Sequence, residues 1–560
     1  MAYDNYYIAD QFTMLAKLMD IHGENAFKSK SYSIAAFNIE KLPVQLHSVD
    51  KKEMASLKGI GDSTSKKIIE ILATGKLQAL EDMVNKTPPG VAEMLNIKGL
   101  GPKKIATVWK EMGIESIGEL LYACNENRLT LFKGFGEKTQ KNVQESIEFY
   151  TRSQGNYLYA QVETHTNEIT TALAKAHPGQ QISTTGTFRR QMEIITELEW
   201  VTTIAPADLT KFFSSLGYKT ENELPGKMSY AGPENLVLSF HLADHSNYHK
   251  LLFETSCSDE FRESWINNNP ALDYADLQSE DDIFLRSGMA VIPPPMREKP
   301  TTLEKVRDKG LQPLIQPHDI RGIIHSHSTW SDGSDSIEDM AKAAIANGLE
   351  YLVISDHSKS AGYANGLQED RIRQQHEEID ALNIKLAPFR IFKSIESDIL
   401  NDGALDYRDE VLASFDLVIT SVHSNLKMTL EKAMSRLLKA IENPYTTILG
   451  HMSGRLLLSR PGYPLDYPAI IDACAKHQVV IELNAHPRRL DMDWRWIDVA
   501  VAKGVLISID PDAHAADAFA DCRYGVLAAQ KAGITKANNL SSMSLEKFEA
   551  FLAEQKKKRS

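Results

Sequence analysis

Histidines and carboxylates recur at short spacing in the C-terminal half of the sequence. His325, His327 and Asp332 lie within eight residues of one another. Residues two apart on a strand point to the same side, so His325 and His327 can face one ion. Mixed histidine and carboxylate ligands without cysteine suit manganese, iron or zinc in open, hydrolytic sites. The spacing therefore predicts metal-assisted hydrolysis.

Short apolar runs, which we interpret as strands, end beside most of these residues, and helical segments such as 336–347 and 430–442 separate them. A strand, a ligand and a helix, repeated about seven times, predict a parallel β/α barrel with its reactive groups at the strand C-termini. A single histidine could merely cap a strand, but that interpretation fails for the whole series. Nine candidate ligands are too many for one ion and suit three: His325, His327, Asp332, His357, Glu396, His423, His451, Asp512 and His514.

These residues and their neighbours resemble the motif set of the PHP (polymerase and histidinol phosphatase) phosphoesterases over about residues 318–550. The resemblance implies a distorted (β/α)7-type barrel, intact catalysis and three divalent metals, Mn²⁺ or Zn²⁺ with Fe²⁺ as a further option. It also implies the grouping of the ligands. One metal would be held by His325, His327, Glu396 and Asp512, a second by Asp332, His357 and His514, and a third by His423 and His451 with Glu396 bridging.

Chain length, apolar runs, cysteine spacing and net charge limit the classes of protein to which this sequence can belong. A chain of 560 residues should form several domains. We expect a cytoplasmic protein without membrane spans, because there is no run of eighteen apolar residues and the four cysteines are unpaired in spacing. The net charge is −13. The first 150 residues nevertheless carry about nineteen charges of each sign, so global acidity does not exclude local phosphate binding.

Three Gly-apolar-Gly tripeptides recur about 35 to 40 residues apart in this N-terminal region, each followed by lysines and a helical pattern. The first glycine tolerates positive φ, and the N–H groups that open the next helix can point at a phosphate. The repeat resembles helix-hairpin-helix units that grip DNA backbones, rather than glycine turns of a plain helical bundle. The predicted DNA-binding residues are Gly59, Gly61, Lys66, Lys67, Gly99, Gly101, Lys103, Lys104, Gly134, Gly136 and Lys138.

The helix predicted upstream carries aromatic and basic residues, among them Phe27, Lys28, Lys30 and Tyr32. With the first hairpin, it resembles the small N-terminal domain of X-family DNA polymerases, which holds a 5′-phosphate in a gap. In members with lyase activity, a lysine after the first hairpin forms a Schiff base with an abasic sugar, and Lys67 stands at that offset. We favour a solvated lysine, because a nucleophilic lysine needs a depressed pKa.

The segment 185–199 is similar to the palm motif of the same family. In that motif Gly-Ser and a later arginine hold the nucleotide triphosphate, and an Asp-x-Asp pair binds two magnesium ions. The candidate counterparts in this sequence are Gly186, Thr187, Arg190, Glu197 and Glu199.

The palm carboxylates depart from the family pattern. Two-metal transfer sets its ions about 3.5 to 4 Å apart, and a misplacement of about 1 Å can cost on the order of 100-fold in rate. Glu197 and Glu199 replace aspartates, and near residues 235–241, where a third aspartate is expected, no carboxylate follows Glu234. We predict a degenerate nucleotide site that binds Mg²⁺ only if the palm is active.

The predicted architecture is multidomain: a helix-hairpin-helix domain over 1–85, a second such region over 86–150, an α/β degenerate palm over 151–235, a thumb-like region over 236–287, a proline-rich linker over 288–318 and a PHP barrel over 319–560. We expect a monomer that binds gapped, nicked or 3′-ended DNA. The predicted activity is 3′–5′ exonuclease or a related cleavage of 3′ ends or abasic sites in repair. Alternatives are a gap-filling polymerase, a histidinol-phosphatase-like enzyme and a non-enzymatic DNA scaffold.

Overall fold

The computed structural model describes residues 3–125, 129–153, 155–232, 236–458 and 461–559. The chain forms two compact units, Met1–Gln154 and Gly155–Ser560. No helix among the described residues is long and apolar enough to cross a membrane. The described part of the first unit contains the helices α1 Asn5–His22, α2 Ala26–Glu40, α3 Asp62–Thr74, α4 Gln78–Lys86, α5 Pro89–Glu93, α6 Pro102–Lys110, α7 Ile117–Asn125 and α8 Glu137–Ser153.

The second unit begins with a palm-like α/β region. Its strands are β1 Tyr157–Leu158, β2 Ile182–Thr185, β3 Ile194–Ile195, β4 Leu198–Thr202, β5 Lys219–Leu224, β6 Lys227–Ala231 and β7 Val237–Leu242, and its helices are α9 Tyr159–Ala176, α10 Gly186–Arg189 and α11 Pro206–Ser215. Five strands form a mixed sheet in the order β2-β4-β7-β6-β5. Buried Trp200, Phe213 and Phe240 stack in its core. The sheet therefore continues past residue 235, where the palm was predicted to end; Glu234 itself lies outside the described residues.

A helical region follows, with α12 Tyr248–Thr255, α13 Asp259–Asn268, α14 Asp281–Arg286 and α15 Thr301–Lys309. One apolar core joins Phe253 and Trp265 of this region to Ile292, Leu303 and Val306. The last three residues belong to the segment predicted as a linker. That segment is thus packed and partly helical, because the apolar side chains that lie between its prolines are buried in this core.

The rest of the second unit is a seven-stranded, all-parallel sheet. Its strands, in neighbour order from first to last, are β8 Gly322–Ile323, β9 Tyr351–Ile354, β10 Arg390–Asp398, β11 Leu417–Ser421, β12 Ile448–Leu449, β13 Val480–Asn484 and β14 Ile507–Asp510. Its helices are α16 Ile337–Ala346, α17 Glu369–Lys385, α18 Asp409–Leu412, α19 Leu430–Ile441, α20 Tyr467–His477, α21 Trp494–Ala502, α22 Cys522–Lys531 and α23 Leu545–Lys557.

Hydrogen bonds between the segments that follow β8 and β14 bring the first and last strands together. The N–H of His327 donates to the carbonyl of Ala513 at 2.8 Å, and the N–H of Ala513 donates to the carbonyl of His325 at 3.1 Å. The sheet is therefore a nearly closed barrel, which confirms the predicted fold. Closure places residues 325–327 beside residues 512–514, although 185 positions separate His327 from Asp512.

Candidate metal centre and DNA-binding hairpins

All nine predicted metal ligands lie at one end of the barrel, at or after the C-terminal ends of the parallel strands. His325 and His327 follow β8, and Asp332 lies in the loop beyond them. Glu396 lies near the end of β10. The other five follow their strands in the same way: His357 after β9, His423 after β11, His451 after β12, and Asp512 and His514 after β14. Parallel strands direct these side chains to a single mouth.

The first group contains His325, His327 and Asp512, whose ligand atoms lie within 4.8 Å of one another. Nε2 of His327 is 3.1 Å from Oδ1 of Asp512, and Nε2 of His325 is 3.5 Å from the same oxygen. Glu396, predicted to join this group, places Oε1 3.4 Å from Nε2 of His325. The side chains of both histidines and of Glu396 are fully buried.

The second group contains Asp332, His357 and His514, as predicted, and also His327. Oδ1 of Asp332 lies 3.5 Å from Nε2 of His514, and Oδ2 lies 3.6 Å from Nε2 of His357. Side chains of Asp332 and His514 are the most open of the nine, at 33% and 43% exposed. This group therefore forms the solvent-facing side of the cluster.

The third group is centred on Glu396. Its Oε1 lies 3.2 Å from Nε2 of His423 and 3.0 Å from Nε2 of His451. His357 also approaches this carboxylate, with Nδ1 2.9 Å from Oε2. One buried carboxylate thus contacts ligands of all three groups.

The electrostatics of the cluster fit divalent cations. Burial alone would raise the pKa of Glu396, but His423, His325 and His357 hold that pKa well below its ordinary value. Burial, with His514 and His357 nearby, lowers the pKa of His327 to about 3, which keeps this imidazole in the neutral form that binds metals. Nε2 of His325 is buried and has no hydrogen-bond partner among the described residues. Charged carboxylates around an unpartnered ring nitrogen form a suitable ligand set.

Several residues that support the ligands were missed by sequence reasoning. Glu482 accepts a hydrogen bond from Nδ1 of His325, Asp398 contacts Nδ1 of His423, and Asn484 donates to Oδ2 of Asp512 at 3.1 Å. Asp356 accepts hydrogen bonds from Ser328 and Ser331 in the loop that carries Asp332. Two signals were present: β13 is an apolar run with an internal Glu482, and Asp398 lies two residues after Glu396 on the same strand face.

The three glycine repeats of the first unit adopt the predicted hairpins. Gly59, Gly99 and Gly134 have φ of 84°, 87° and 92°, a region that favours glycine. The apolar residue that follows each is buried, namely Ile60, Leu100 and Phe135. A helix begins directly after the second glycine of each tripeptide, at Asp62, Pro102 and Glu137.

The hairpins present their polar groups outward. Both glycines of each tripeptide are exposed, as are Lys66, Lys103 and Lys138, whereas Lys67 and Lys104 are half-buried. Gly61 and Gly101 cap α3 and α6 without any side-chain hydrogen bond to the first helical turn. First-turn N–H groups that lack a side-chain cap are donors of the kind that binds a phosphate, although Pro102 at the start of α6 contributes none. Nζ of Lys67 lies 5.9 Å from the ring centre of Tyr32.

The palm residues form ion pairs within the protein. Oε2 of Glu197 lies 3.2 Å from Nζ of Lys227, and Oε1 of Glu199 lies 2.9 Å from Nε2 of His241. Nε of Arg190, predicted to hold a phosphate, lies 2.9 Å from Oε1 of Glu298.

Glu199 also lies close to the turn at Gly186. A Cβ placed on Gly186 would lie 1.8 Å from Oε2 of Glu199, so this carboxylate packs directly against the glycine. The two glutamates and the arginine of the palm motif are therefore already paired with side chains of the protein itself.

The barrel and its ligand cluster are those of a metal-binding hydrolase of the PHP class, joined to DNA-binding helix-hairpin-helix units. The PHP domain family matches residues 324–486, the Helix-hairpin-helix domain family matches 4–77, and the SAM-like Helix-hairpin-helix tandem family matches 91–148. The chain is 32% identical to the DNA polymerase/3′-5′ exonuclease PolX of Bacillus subtilis over 96% of this chain and 97% of that protein. It belongs to the bacterial X-family DNA polymerases that carry a C-terminal PHP domain.

Shorter similarities cover about a third of the chain. A probable phosphatase of Acetivibrio thermocellus is 30% identical over 29% of this chain and 64% of its own length. The probable phosphatase YcdX of Escherichia coli is 28% identical over 34% of this chain and 78% of its own. Together with the family matches, these relatives support a hydrolase that binds DNA.

Proposed function

We propose that this protein is a metal-dependent 3′–5′ exodeoxyribonuclease that trims DNA 3′ ends in repair, with related 3′-end processing and abasic-site cleavage as further reactions of the same site. The observation that carries the proposal is the convergence of nine histidine and carboxylate side chains at one barrel mouth. The helix-hairpin-helix units supply the DNA-binding surface that a small-molecule phosphatase would not need. The Bacillus subtilis relative is itself named as a DNA polymerase and 3′-5′ exonuclease.

We propose three divalent cations, Mn²⁺ or Zn²⁺ with Fe²⁺ as a further option. Cations held by the three groups would supply Lewis acidity to a phosphodiester and lower the pKa of an attacking water. The buried Glu396 holds the histidines of all three groups at short distance. Asp332 and His514 lie on the open side, where they can orient the substrate or accept a proton.

We propose that the palm no longer synthesises DNA. Lys227 occupies a position between Glu197 and Glu199, at 3.2 Å and 3.9 Å from their oxygens. The Lys227 ammonium group neutralises carboxylate charge that a magnesium ion would otherwise neutralise. Arg190 and Glu298 are both largely buried, at 12% and 11% exposed, so a triphosphate would have to break their ion pair.

The test is a gel with a labelled primer-template in Mn²⁺, with and without deoxynucleotides. We expect shortening in both lanes and no lengthening. The double variant His325→Ala, His327→Ala should lose the activity while keeping the circular dichroism of the parent. The matched control is His318→Ala, which removes an exposed histidine in the same unit. Retained digestion in the double variant would place the nuclease elsewhere.

The same gel tests the polymerase. Lengthening that disappears in Glu197→Gln would establish a gap-filling polymerase and refute the proposed loss. Faster hydrolysis of histidinol phosphate than of an oligonucleotide would favour a small-molecule phosphatase, and absence of any hydrolysis with metal present would favour a DNA scaffold.

A further inference from the structure

The loop after β13 carries Arg489 to the edge of the metal-ligand cluster. Its Nε lies 3.6 Å from Oδ2 of Asp512, beyond normal hydrogen-bond distance, and 20% of the side chain is exposed. Within the described ranges, no acceptor receives a hydrogen bond from this guanidinium. Arg489 thus forms one long ion pair with a metal ligand and donates no hydrogen bond to it, so its planar set of N–H donors can bind a group outside the protein.

Hydrogen bonds from Arg455 fix the backbone around Arg489. Arg455 donates from Nε to the carbonyl of Arg489 at 3.0 Å and also contacts the carbonyl of Leu490. The other end of the Arg455 guanidinium pairs with Asp493 at 2.9 Å. Leu490 has φ of 41°, an unfavourable left-handed conformation for leucine. Strain of this kind persists where the surrounding structure imposes it, and it is frequent at functional sites.

The charge of Arg489 points to an anionic ligand. Its neighbour Asp512 belongs to a group that would hold a divalent cation, and a guanidinium next to such an ion is repelled by it. An anion that bridges the ion and the guanidinium removes this repulsion. The planar donors of arginine match the oxygens of a phosphodiester and can form two parallel hydrogen bonds.

We propose that Arg489 is a catalytic residue that binds a non-bridging oxygen of the scissile phosphate, and that Arg455 is the positioning residue that aims it. This inference rests on the proposed phosphoesterase function of the barrel. In the reaction, a water oxygen forms a bond to phosphorus and the bond from phosphorus to the 3′-oxygen of the preceding nucleotide breaks. One proton of the water ends on that 3′-oxygen, and the released nucleotide carries a 5′-phosphate. Arg489 stabilises the negative charge that gathers on the phosphoryl oxygens as the bonds exchange.

The experiment compares Arg489→Ala and Arg489→Lys with the matched control Arg488→Ala, an exposed arginine one position earlier. Each full-length protein, loaded with Mn²⁺, is assayed on a 3′-ended oligonucleotide and on bis(p-nitrophenyl) phosphate, and its metal content is measured. We expect Arg489→Ala to lose about 100-fold in kcat/KM on both substrates with unchanged metal content. Arg489→Lys should recover part of the loss, added guanidinium ions should partly rescue Arg489→Ala, and Arg488→Ala should stay within about twofold of the parent.

Arg455→Ala should lower activity in the same direction with unchanged metal content, but guanidinium ions should not rescue it. The proposal for Arg489 is overturned if Arg489→Ala is as active as the parent, or if its activity falls only in proportion to lost metal. A parent protein that hydrolyses the small diester but not DNA would refute the proposed exonuclease while still testing Arg489. A parent that hydrolyses neither would overturn both proposals.

Discussion

Oε1 of Glu482 lies 2.5 Å from Nδ1 of His325, and both side chains are fully buried. The other carboxylate oxygen accepts the backbone N–H of His451 at 2.6 Å. Glu482 therefore fixes the ring of His325 so that Nε2 turns toward Asp512 and Glu396, and it fixes the loop that carries His451. A carboxylate behind a ligating histidine sets its tautomer and raises its basicity.

Replacing Glu482 by glutamine should weaken metal binding, because the amide keeps the shape of the side chain but removes the charge that orients His325. We expect a loss of about 10- to 100-fold in affinity. Titration of chelator-treated protein with Mn²⁺ measures it. Glu442→Gln, at an exposed position just after α19, is the control. An unchanged affinity in Glu482→Gln would show that His325 is oriented by other contacts.

Removing bound metal should destabilise the second unit. Buried Glu396 and Asp512 keep pKa values well below the ordinary range despite burial, so both carry charge that cations would balance. A ligand at about 100 times its dissociation constant adds roughly 2.7 kcal/mol, which corresponds to about 3 °C in Tm for a unit of this size. Calorimetry before and after chelation should show that decrease, and Mn²⁺ should reverse it. No change in Tm on chelation and reloading would contradict a metal-filled mouth.

The second hairpin should increase DNA affinity through the positive charge of its lysines, independently of the base sequence of the DNA. Lys103 and Lys104 follow its glycines at the start of α6. The variant Lys103→Gln, Lys104→Gln should weaken binding to all sequences alike and reduce the slope of log Kd against log salt by about 2. Fluorescence anisotropy at several salt concentrations measures this slope. Lys76→Gln, which removes an exposed lysine paired with Glu81, should leave it unchanged. If the double variant and Lys76→Gln changed the slope equally, the hairpin lysines would have no specific role in DNA binding.

Lys531 should make stability depend on pH. Its side chain is fully buried at the contact between the palm and the barrel, where Nζ donates to the carbonyl of Arg190 at 2.7 Å and lies 3.2 Å from Glu298. Burial lowers the pKa of Lys531 to about 8 from an ordinary value of 10.5. Between these two pH values the unfolded chain binds more protons than the folded protein. Stability should therefore rise with pH across that window, by about 3 kcal/mol at most.

The measurement for Lys531 is Tm between pH 7.5 and pH 10, at constant metal, in the parent and in Lys531→Met. Glu298 keeps its ion pair with Arg190 in that variant. We expect the rise of Tm with pH to be smaller in Lys531→Met than in the parent, and to be unaltered in the control Lys536→Met, whose side chain is 72% exposed. Identical pH profiles for parent and Lys531→Met would refute the lowered pKa.

Repeated local patterns made much of the fold predictable from sequence. Each strand–helix repeat of the barrel contains an apolar strand that is followed by a ligand such as His357 or His423. Because the strands are parallel, their C-terminal ends lie on one side of the barrel, and this can be predicted before any contact is known. The hairpins were predictable for a similar reason, because positive φ at Gly59 and its repeats restricts the residue type there.

Pairings between distant segments were not predictable. Glu298 partners Arg190 from 108 positions away, and Glu482 reaches His325 from 157 positions away. Neither glutamate lies in a motif of its own, so its role depends on which side chain the fold places opposite. The prolines of segment 288–318 predict a linker, but Ile292 and Leu303 are buried against Phe253 and its neighbours, which are distant in sequence.

The sequence by itself determined the kinds of chemistry present: the metal-ligand types, their order along the strands, and the three glycine turns. Those features depend on local backbone geometry and residue type, which neighbouring residues define. Only the tertiary structure decided which carboxylates are charged, which arginines are already paired and which donor is left at the mouth beside Asp512. Charge and hydrogen bonding depend on distance in space and on burial, and both arise only when remote parts of the chain pack together.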